Sequence, residues 1–183
     1  MGINGIGPAG YPLAGYRTGT SQHKAAQKSF ANELGNAASA QQKEYIVFLK
    51  SEDMLYSGGN GTGLSYYIQY AENSTEEDPT VIAKGVDENG EEFEQTIHIN
   101  RINPRCATIV EMHALEAHLG VDKNGGLTSL PPETGNMGLH DTADFMDLFQ
   151  QQIYDMKLLK QSGLAAYYQY SMRMFEEFMA RGK

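Results

Sequence analysis

Residues 81–99 read VIAKGVDENGEEFEQTIHI, and this stretch decides the class of the fold. Val81–Val86 is rich in residues that favour strands. Asp87–Gly90 is typical of a hairpin turn, in which Gly90 can take the left-handed conformation. Glu91–Ile99 then alternates apolar and polar residues, which is the pattern of a strand with one buried face. The stretch therefore predicts an antiparallel hairpin.

Two more strands are predicted on the N-terminal side of this hairpin. The apolar run Tyr45–Leu49 favours a buried strand, and Leu64–Ala71 alternates in the manner of a half-buried one. Between them, residues 57–63 hold four glycines, which predict a mobile loop. The lysine and the Ser/Thr of a phosphate-binding loop are absent, so we interpret the loop as a connector. We therefore expect residues 44–100 to form an antiparallel meander.

Helices are predicted for most of the C-terminal half. Asn103 caps a helix well and Pro104 suits its first turn, so we expect a helix over residues 103–119 that stops at Gly120. Residues 141–181 carry apolar side chains at spacings of three and four, interrupted at Gly163. This region is either a helical hairpin or one long helix kinked at Gly163.

The N-terminal residues differ from the remainder of the chain. Residues 1–20 are rich in glycine and predict a flexible arm, whereas residues 21–40 predict an amphipathic helix. We expect residues 21–183 to form a single α+β domain, in which an antiparallel sheet of three or four strands is packed by helices.

Composition excludes several classes of protein. The chain has 183 residues, one cysteine and a net charge of -9. One cysteine cannot form a disulfide within the chain, and no apolar run is long enough for a membrane-spanning helix. The acidic charge argues against nucleic acid as a partner, because phosphates would be repelled. Residues 51–100 hold eleven acidic groups and one basic group, largely in the turns and solvent face of the predicted meander.

A cysteine-dependent active site is one alternative. Cys106 falls in the first turn of the predicted helix, where unpaired backbone amides would stabilise a thiolate. His113 is seven residues further on, about 10 Å along the axis, and cannot reach the sulfur as a base. A lone cysteine is also among the commonest buried small residues. We therefore predict no catalytic residue.

Metal-ligand residue types occur at two places. On the predicted helix, His113 and Glu116 share one side while Glu111 and His118 lie on another, so the four cannot converge on one ion. Residues 122–133 resemble a calcium loop at positions one, three and twelve, but Leu127 replaces the required glycine and two prolines follow. We predict no metal and no cofactor, and leave calcium binding by residues 122–133 open.

Tyrosine is the residue type that most favours a contact surface. It buries a ring while keeping a polar tip, which suits protein interfaces. An aromatic core would explain the same residues. The candidate interaction surface consists of two groups of three tyrosines: Tyr66, Tyr67, Tyr70, Tyr167, Tyr168 and Tyr170.

Two sequence patterns resemble known proteins. Residues 84–93, KGVDENGEEF, followed by Ile102–Pro104 and residues 111–115, EMHAL, are similar to a pattern in short uncharacterised proteins of anaerobic gram-positive bacteria. No activity is assigned to those proteins, so the resemblance implies a hairpin followed by a helix and no functional residue. Residues 29–34, SFANEL, behind a glycine-rich arm resemble the N-terminal helices of flagellar rod and type III secreted proteins, which leave the cell without a cleavable signal.

Three functions follow as alternatives. The first is a non-enzymatic protein-interaction or structural module, cytoplasmic, that binds a protein partner or itself. The second is a structural component exported without a cleavable signal peptide. The third is a small metal- or cysteine-dependent enzyme centred on Cys106.

Overall fold

A computed structural model describes residues 46–126 and 128–181 of the chain. The predicted arm over residues 1–20, the predicted helix over residues 21–40 and Tyr45 lie outside these ranges.

The centre of the fold is a four-stranded antiparallel sheet with the strand order β1-β2-β3-β4. Its strands are β1 (Met54–Gly59), β2 (Ser65–Tyr70), β3 (Thr80–Val86) and β4 (Glu92–His98). Each strand pairs with its neighbour in sequence, so the sheet is a meander. Three α-helices among the described residues accompany it, which confirms the α+β class.

The register gives the sheet two different faces. Tyr66 lies opposite Gly85, and Gly85 lies opposite Phe93, so these three positions share one face. Tyr67 and Lys84 are paired on the opposite, outer face. A Cβ atom at Gly85 would lie 2.1 Å from the carbonyl oxygen of Ser65, so the strands can approach this closely only with glycine there.

Two predictions at the start of the sheet are wrong. Residues 46–49 have no regular secondary structure, and Val47 and Leu49 are 74% and 86% exposed. The first described strand is instead β1, which includes Gly58 and Gly59 from the predicted loop. Its ladder of hydrogen bonds with β2 outweighs the poor strand propensity of the glycines.

The first helix, α1 (Ile109–Leu119), begins later than Asn103. The hydroxyl of Thr108 accepts the Glu111 backbone N–H, and the Glu111 carboxylate accepts the Thr108 N–H, which is a capping box. Residues 103–106 form a turn, and the short strand β5 (Ala107–Thr108) precedes the helix. The predicted end at Leu119 is confirmed, with Gly120 in the left-handed conformation.

The C-terminal region is a helical hairpin, so the first of the two alternatives holds. After the short strand β6 (Thr142–Ala143), which pairs with β5, come α2 (Phe145–Leu158) and α3 (Ser162–Arg181). Asp144 caps α2 by accepting two backbone N–H groups, so α2 begins after the expected residue 141. The break lies at residues 159–161, where Lys160 has φ of 58°, and Gly163 is inside α3.

One apolar core joins the sheet to the helices. The inner face of the sheet packs on α1, and the rings of Phe149 and Phe175 lie 5.6 Å apart between α2 and α3. The largest fully buried side chains of the described residues include Tyr66, Phe145, Phe149, Phe175, Leu64, Ile68, Ile99, Met112, Leu115 and Met146.

Candidate functional site

The three tyrosines of β2 do not form one surface. Tyr66 is 2% exposed and belongs to the core, so its place in the candidate interaction surface is a correction. Successive strand residues point to opposite faces, which puts Tyr67 on the outer face, half-buried, with its ring 5.3 Å from that of Phe48. Tyr70 is exposed, and its hydroxyl lies 2.9 Å from Nδ1 of His118.

The three tyrosines of α3 also have separate roles. Tyr167 donates its hydroxyl to the carbonyl oxygen of Asp122 at 2.9 Å, and desolvation raises its pKa to about 12. Tyr168 packs against Phe149 at 6.3 Å. Tyr170 is exposed. Of the six predicted residues, Tyr70 and Tyr170 are the exposed ones, and Tyr67, Tyr167 and Tyr168 are half-buried.

A polar cluster lies between the sheet and α1. The hydroxyl of Tyr66 is 2.6 Å from Nδ1 of His113, and the ring of Tyr56 stacks on the His113 ring at 4.2 Å. Burial, aided by the charge of Lys123, lowers the pKa of His113 to about 3, so the imidazole is neutral at pH 7. Burial also raises the pKa values of Tyr56 and Tyr66.

Glu116 joins this cluster to the loop that follows α1. Its carboxylate is fully buried and accepts the Ser129 backbone N–H and the Thr128 hydroxyl. The Lys123 ammonium lies 3.7 Å from it, and 5.1 Å from the centre of the Tyr56 ring. These contacts hold the loop against α1.

Two atoms of the cluster have no hydrogen-bond partner among the described residues. They are Nε2 of His113 and the hydroxyl of Ser129, and both are buried. The other ring nitrogen of His113, Nδ1, contacts the Tyr66 hydroxyl. A sequence pattern could not have found this cluster, because its members come from β1, β2, α1 and a loop.

The residues considered as metal ligands do not converge. Within residues 46–126 and 128–181, no group of three or more His, Cys, Asp or Glu side chains is placed to hold an ion. Glu111 serves in the capping box, while Glu116 contacts a lysine ammonium. In the loop considered for calcium, the Asp122 side chain accepts the backbone N–H of Asn124.

Cys106 does not lie in a helix. It is exposed and lies in the turn before β5, with its backbone N–H donated to the Asn103 carbonyl at 2.8 Å. The prediction that it occupies the first turn of a helix is therefore wrong, because Thr108 rather than Asn103 caps α1. The argument that a helix terminus stabilises its thiolate no longer applies.

The exposed apolar side chains are concentrated on the C-terminal hairpin. Nine large hydrophobic residues are exposed in the described part of the chain, and five of them lie between residues 154 and 170. We call residues 154–164 the hairpin tip. Its exposed apolar members are Tyr154 at 62%, Leu158 at 69%, Leu159 at 63% and Leu164 at 40%.

A concave surface lies on the outer face of the sheet, and we call it the outer groove. Its volume is about 540 Å³, and its walls come from strands β2 to β4 and from residues 46–48. Ile46, Phe48 and Tyr67 supply apolar surface, whereas Glu92 and Glu94 supply acidic groups. Lys84 is paired with Glu94 at 3.0 Å.

A larger open groove of about 1070 Å³ lies where α1, α3 and the loops after β2 and β4 meet. Ile102, Leu119 and Phe178 line it together with charged residues of both signs, including Glu176 and Arg181. Its mixed lining indicates no particular chemistry.

No helix in the described ranges is long and apolar enough to cross a membrane. Comparisons with protein-family models, with curated proteins and with solved structures found no match to this chain. The function is therefore proposed from the sequence and structure of this chain.

Proposed function

We propose that this protein is a non-enzymatic interaction module that binds a protein partner through its hairpin tip. The observation that supports this most directly is the exposure of Leu158 and Leu159, which are adjacent and more than 60% exposed. Single exposed hydrophobic residues are common, whereas a contiguous apolar group on a surface is typical of an interaction site.

The energetics favour a partner at this position. Full burial of a leucine side chain contributes roughly 1.5–3 kcal/mol relative to exposure. Two leucines and Tyr154 together can therefore contribute several kcal/mol to binding, which is the scale of a small group of interface residues that dominates affinity.

The hairpin is suited to present this surface in a fixed geometry. Phe149 and Phe175 pack α2 against α3, and Phe145 anchors the start of α2 in the core. The connection over residues 159–161 is short, so the tip is a compact turn. Because the helices are already ordered, binding has little conformational entropy to offset.

The two subsidiary functions remain proposals of lower rank. Export without a cleavable signal rests on the resemblance of residues 29–34. It is tested by comparing the amount of protein in the culture supernatant between the full chain and a variant that lacks residues 1–35. A cytoplasmic location is the expectation otherwise. An enzyme centred on Cys106 is supported only by the exposure of that thiol.

Site-specific photo-crosslinking tests the interaction function. A benzophenone amino acid replaces Leu158 in the cells that produce the protein, and Arg101, which is also exposed, is the control position. We expect a discrete adduct from position 158, none from position 101, and loss of the adduct when Leu159→Ser is added. The absence of an adduct at position 158, or equal adducts at both positions, would contradict the proposal.

A further inference from the structure

We propose that the partner is a second copy of this chain, whose outer groove receives the hairpin tip. The inference rests on the proposed function, because it names the partner of the same tip. It combines two surfaces at different places on one chain, which match in polarity and charge.

The tip is convex, apolar and basic. Residues 157–160 read KLLK, so two exposed leucines are flanked by exposed lysines. Neither Lys157 nor Lys160 forms an ion pair with any residue that the structure describes. The nearest acidic side chain in sequence, Asp155, is half-buried and accepts a hydrogen bond from Gln151 at 3.0 Å. The tip is thus locally positive in a chain of net charge -9.

The outer groove has the opposite character. Ile46, which is exposed, and Phe48 and Tyr67, which are half-buried, offer apolar side chains for the leucines. Glu92 lines the groove, is exposed, and has no ion-pair partner within the described ranges. Glu94 shares its charge with Lys84, in a pair whose side chains are 58% and 37% exposed. A lysine arriving from the tip therefore meets acidic groups that are accessible to it.

Charge also argues against the two symmetric arrangements. A contact between two tips would bring Lys157 and Lys160 of both copies together, and a contact between two grooves would bring Glu92 and Glu94 of both copies together. Like charges at close range oppose both contacts. A contact of tip with groove pairs opposite charges, and it is heterologous because the two surfaces differ.

A heterologous contact has a further consequence. Each copy that places its tip in a neighbour leaves its own groove free, so the contact either closes into a ring or continues as a filament. The smallest closed ring is a dimer in which each copy receives the other's tip, whereas a larger ring or a filament has a higher mass. The apparent mass should therefore rise with protein concentration from that of the monomer to that of a dimer or a larger assembly.

Light scattering after size exclusion, together with sedimentation, tests the inference on the full chain. We expect the wild type to associate with increasing concentration. For the tip variant Leu158→Ser with Leu159→Ser, the protein concentration at which half of the chains are associated should rise by at least about tenfold. Its matched control is Ala166→Ser with Gln169→Ser, two exposed residues of α3 outside both surfaces, which should behave as wild type.

The groove variant Glu92→Lys with Glu94→Lys should lose association to a similar extent, because lysines of tip and groove then repel. Its control is Glu176→Lys with Glu177→Lys, which makes the same change in net charge on α3. Circular dichroism verifies that each variant is folded.

Mixing the two defective variants distinguishes a contact of tip with groove from a contact between two identical surfaces. The groove variant keeps an intact tip and the tip variant keeps an intact groove, so one functional contact is possible between them. We expect the equimolar mixture to form a complex of one copy of each and nothing larger. A mixture that stays monomeric while the wild type associates would overturn the heterologous contact.

The outcomes for this inference and for the proposed function are distinct. A wild type that remains monomeric at every concentration overturns the second copy as partner, even if the adduct at position 158 is formed with another protein. Tip-dependent binding of the monomer to vesicles of phosphatidylglycerol, but not of phosphatidylcholine, would overturn it in favour of a lipid surface. Absence of both association and any adduct would overturn the proposed function as well.

Discussion

The hydroxyl of Tyr66 on β2 lies 2.6 Å from Nδ1 of His113 on α1, and this buried contact links the sheet to the helix. A second pair of the same type, Tyr70 with His118, joins the same two elements at 2.9 Å but is exposed. The two pairs allow the effect of burial to be measured with the chemistry held constant.

Tyr66→Phe should destabilise the protein by about 1–3 kcal/mol, because it leaves a buried ring nitrogen of His113 without a partner. Tyr70→Phe is the matched control and should change the free energy of unfolding by less than about 0.5 kcal/mol, since water replaces its hydroxyl. Urea denaturation of both variants measures the difference. Equal losses would show that burial does not determine the contribution of the pair.

The stability of the protein should fall as the pH is lowered through the weakly acid range. His113 has a pKa of about 3 in the folded protein against 6.5 as its ordinary value. Between these values the unfolded chain binds a proton that the folded chain does not bind. The contribution of neutral His113 is therefore complete above pH 6.5, and is lost at somewhat more than about 1 kcal/mol per pH unit below it.

Urea midpoints at a series of pH values, compared between the wild type and His113→Gln, test this dependence. The variant should lose less stability than the wild type over the same range. If that variant does not fold, an NMR titration of the His113 ring in the wild type serves instead. A ring that titrates near pH 6.5 in the folded protein would contradict the prediction.

Glu116→Gln should destabilise the protein by roughly 2–4 kcal/mol. The Lys123 ammonium loses its anionic partner, and the amide NH₂ group of glutamine cannot accept the hydrogen bonds that the carboxylate accepts. Glu94→Gln is the control, since its pair with Lys84 is exposed to solvent and should contribute much less to stability. Chemical denaturation gives both values. Hydrogen exchange should also show faster opening around Ser129 in the Glu116 variant, and unchanged exchange there would refute the role of Glu116 in holding the loop.

Two glycine substitutions should have opposite effects. Gly85→Ala should destabilise the protein by more than about 3 kcal/mol, because the new Cβ would lie 2.1 Å from the Ser65 carbonyl oxygen and 2.6 Å from the Cα of Tyr66. Gly163→Ala should stabilise it by about 0.5–1 kcal/mol, because that helical position has no atom within 4 Å of the new Cβ. Thermal unfolding ranks the two variants, and similar midpoints would show that the strands can separate at Gly85.

Several parts of the fold follow from local sequence patterns. The alternation in Glu91–Ile99 and the turn at Asp87–Gly90 predicted the β3–β4 hairpin, because a strand with one buried face needs a period of two. Gly120 predicted the end of α1, since glycine adopts the left-handed conformation without strain. The spacing of apolar residues also indicated helix between residues 141 and 181, and it left open a hairpin or one long helix kinked at Gly163; the structure has the hairpin.

Other parts depended on contacts between distant residues. The strand β1 forms although it contains two glycines, because β2 provides a ladder of hydrogen bonds for it. Both Asn103 and Thr108 suit a helix cap, and the pairing of β5 with β6 accompanies the start at Thr108. The pairing of β1 with β2 cannot be read from a local window of sequence. The Thr108–Glu111 capping box is a local pattern, but the Asn103–Pro104 pair offers a competing start, and the packed structure decides between them.

The sequence by itself therefore determined the class of the fold, the β3–β4 hairpin and the helical content, because periodicity and turn residues are local properties. The tertiary structure decided which tyrosine is core and which is surface, and it assembled His113, Glu116 and Ser129 into one buried cluster. It also left Leu158 and Leu159 exposed, although Leu159 continues the apolar spacing of α2. Whether a side chain is exposed depends on which surfaces the other elements cover, and only the packed structure specifies this.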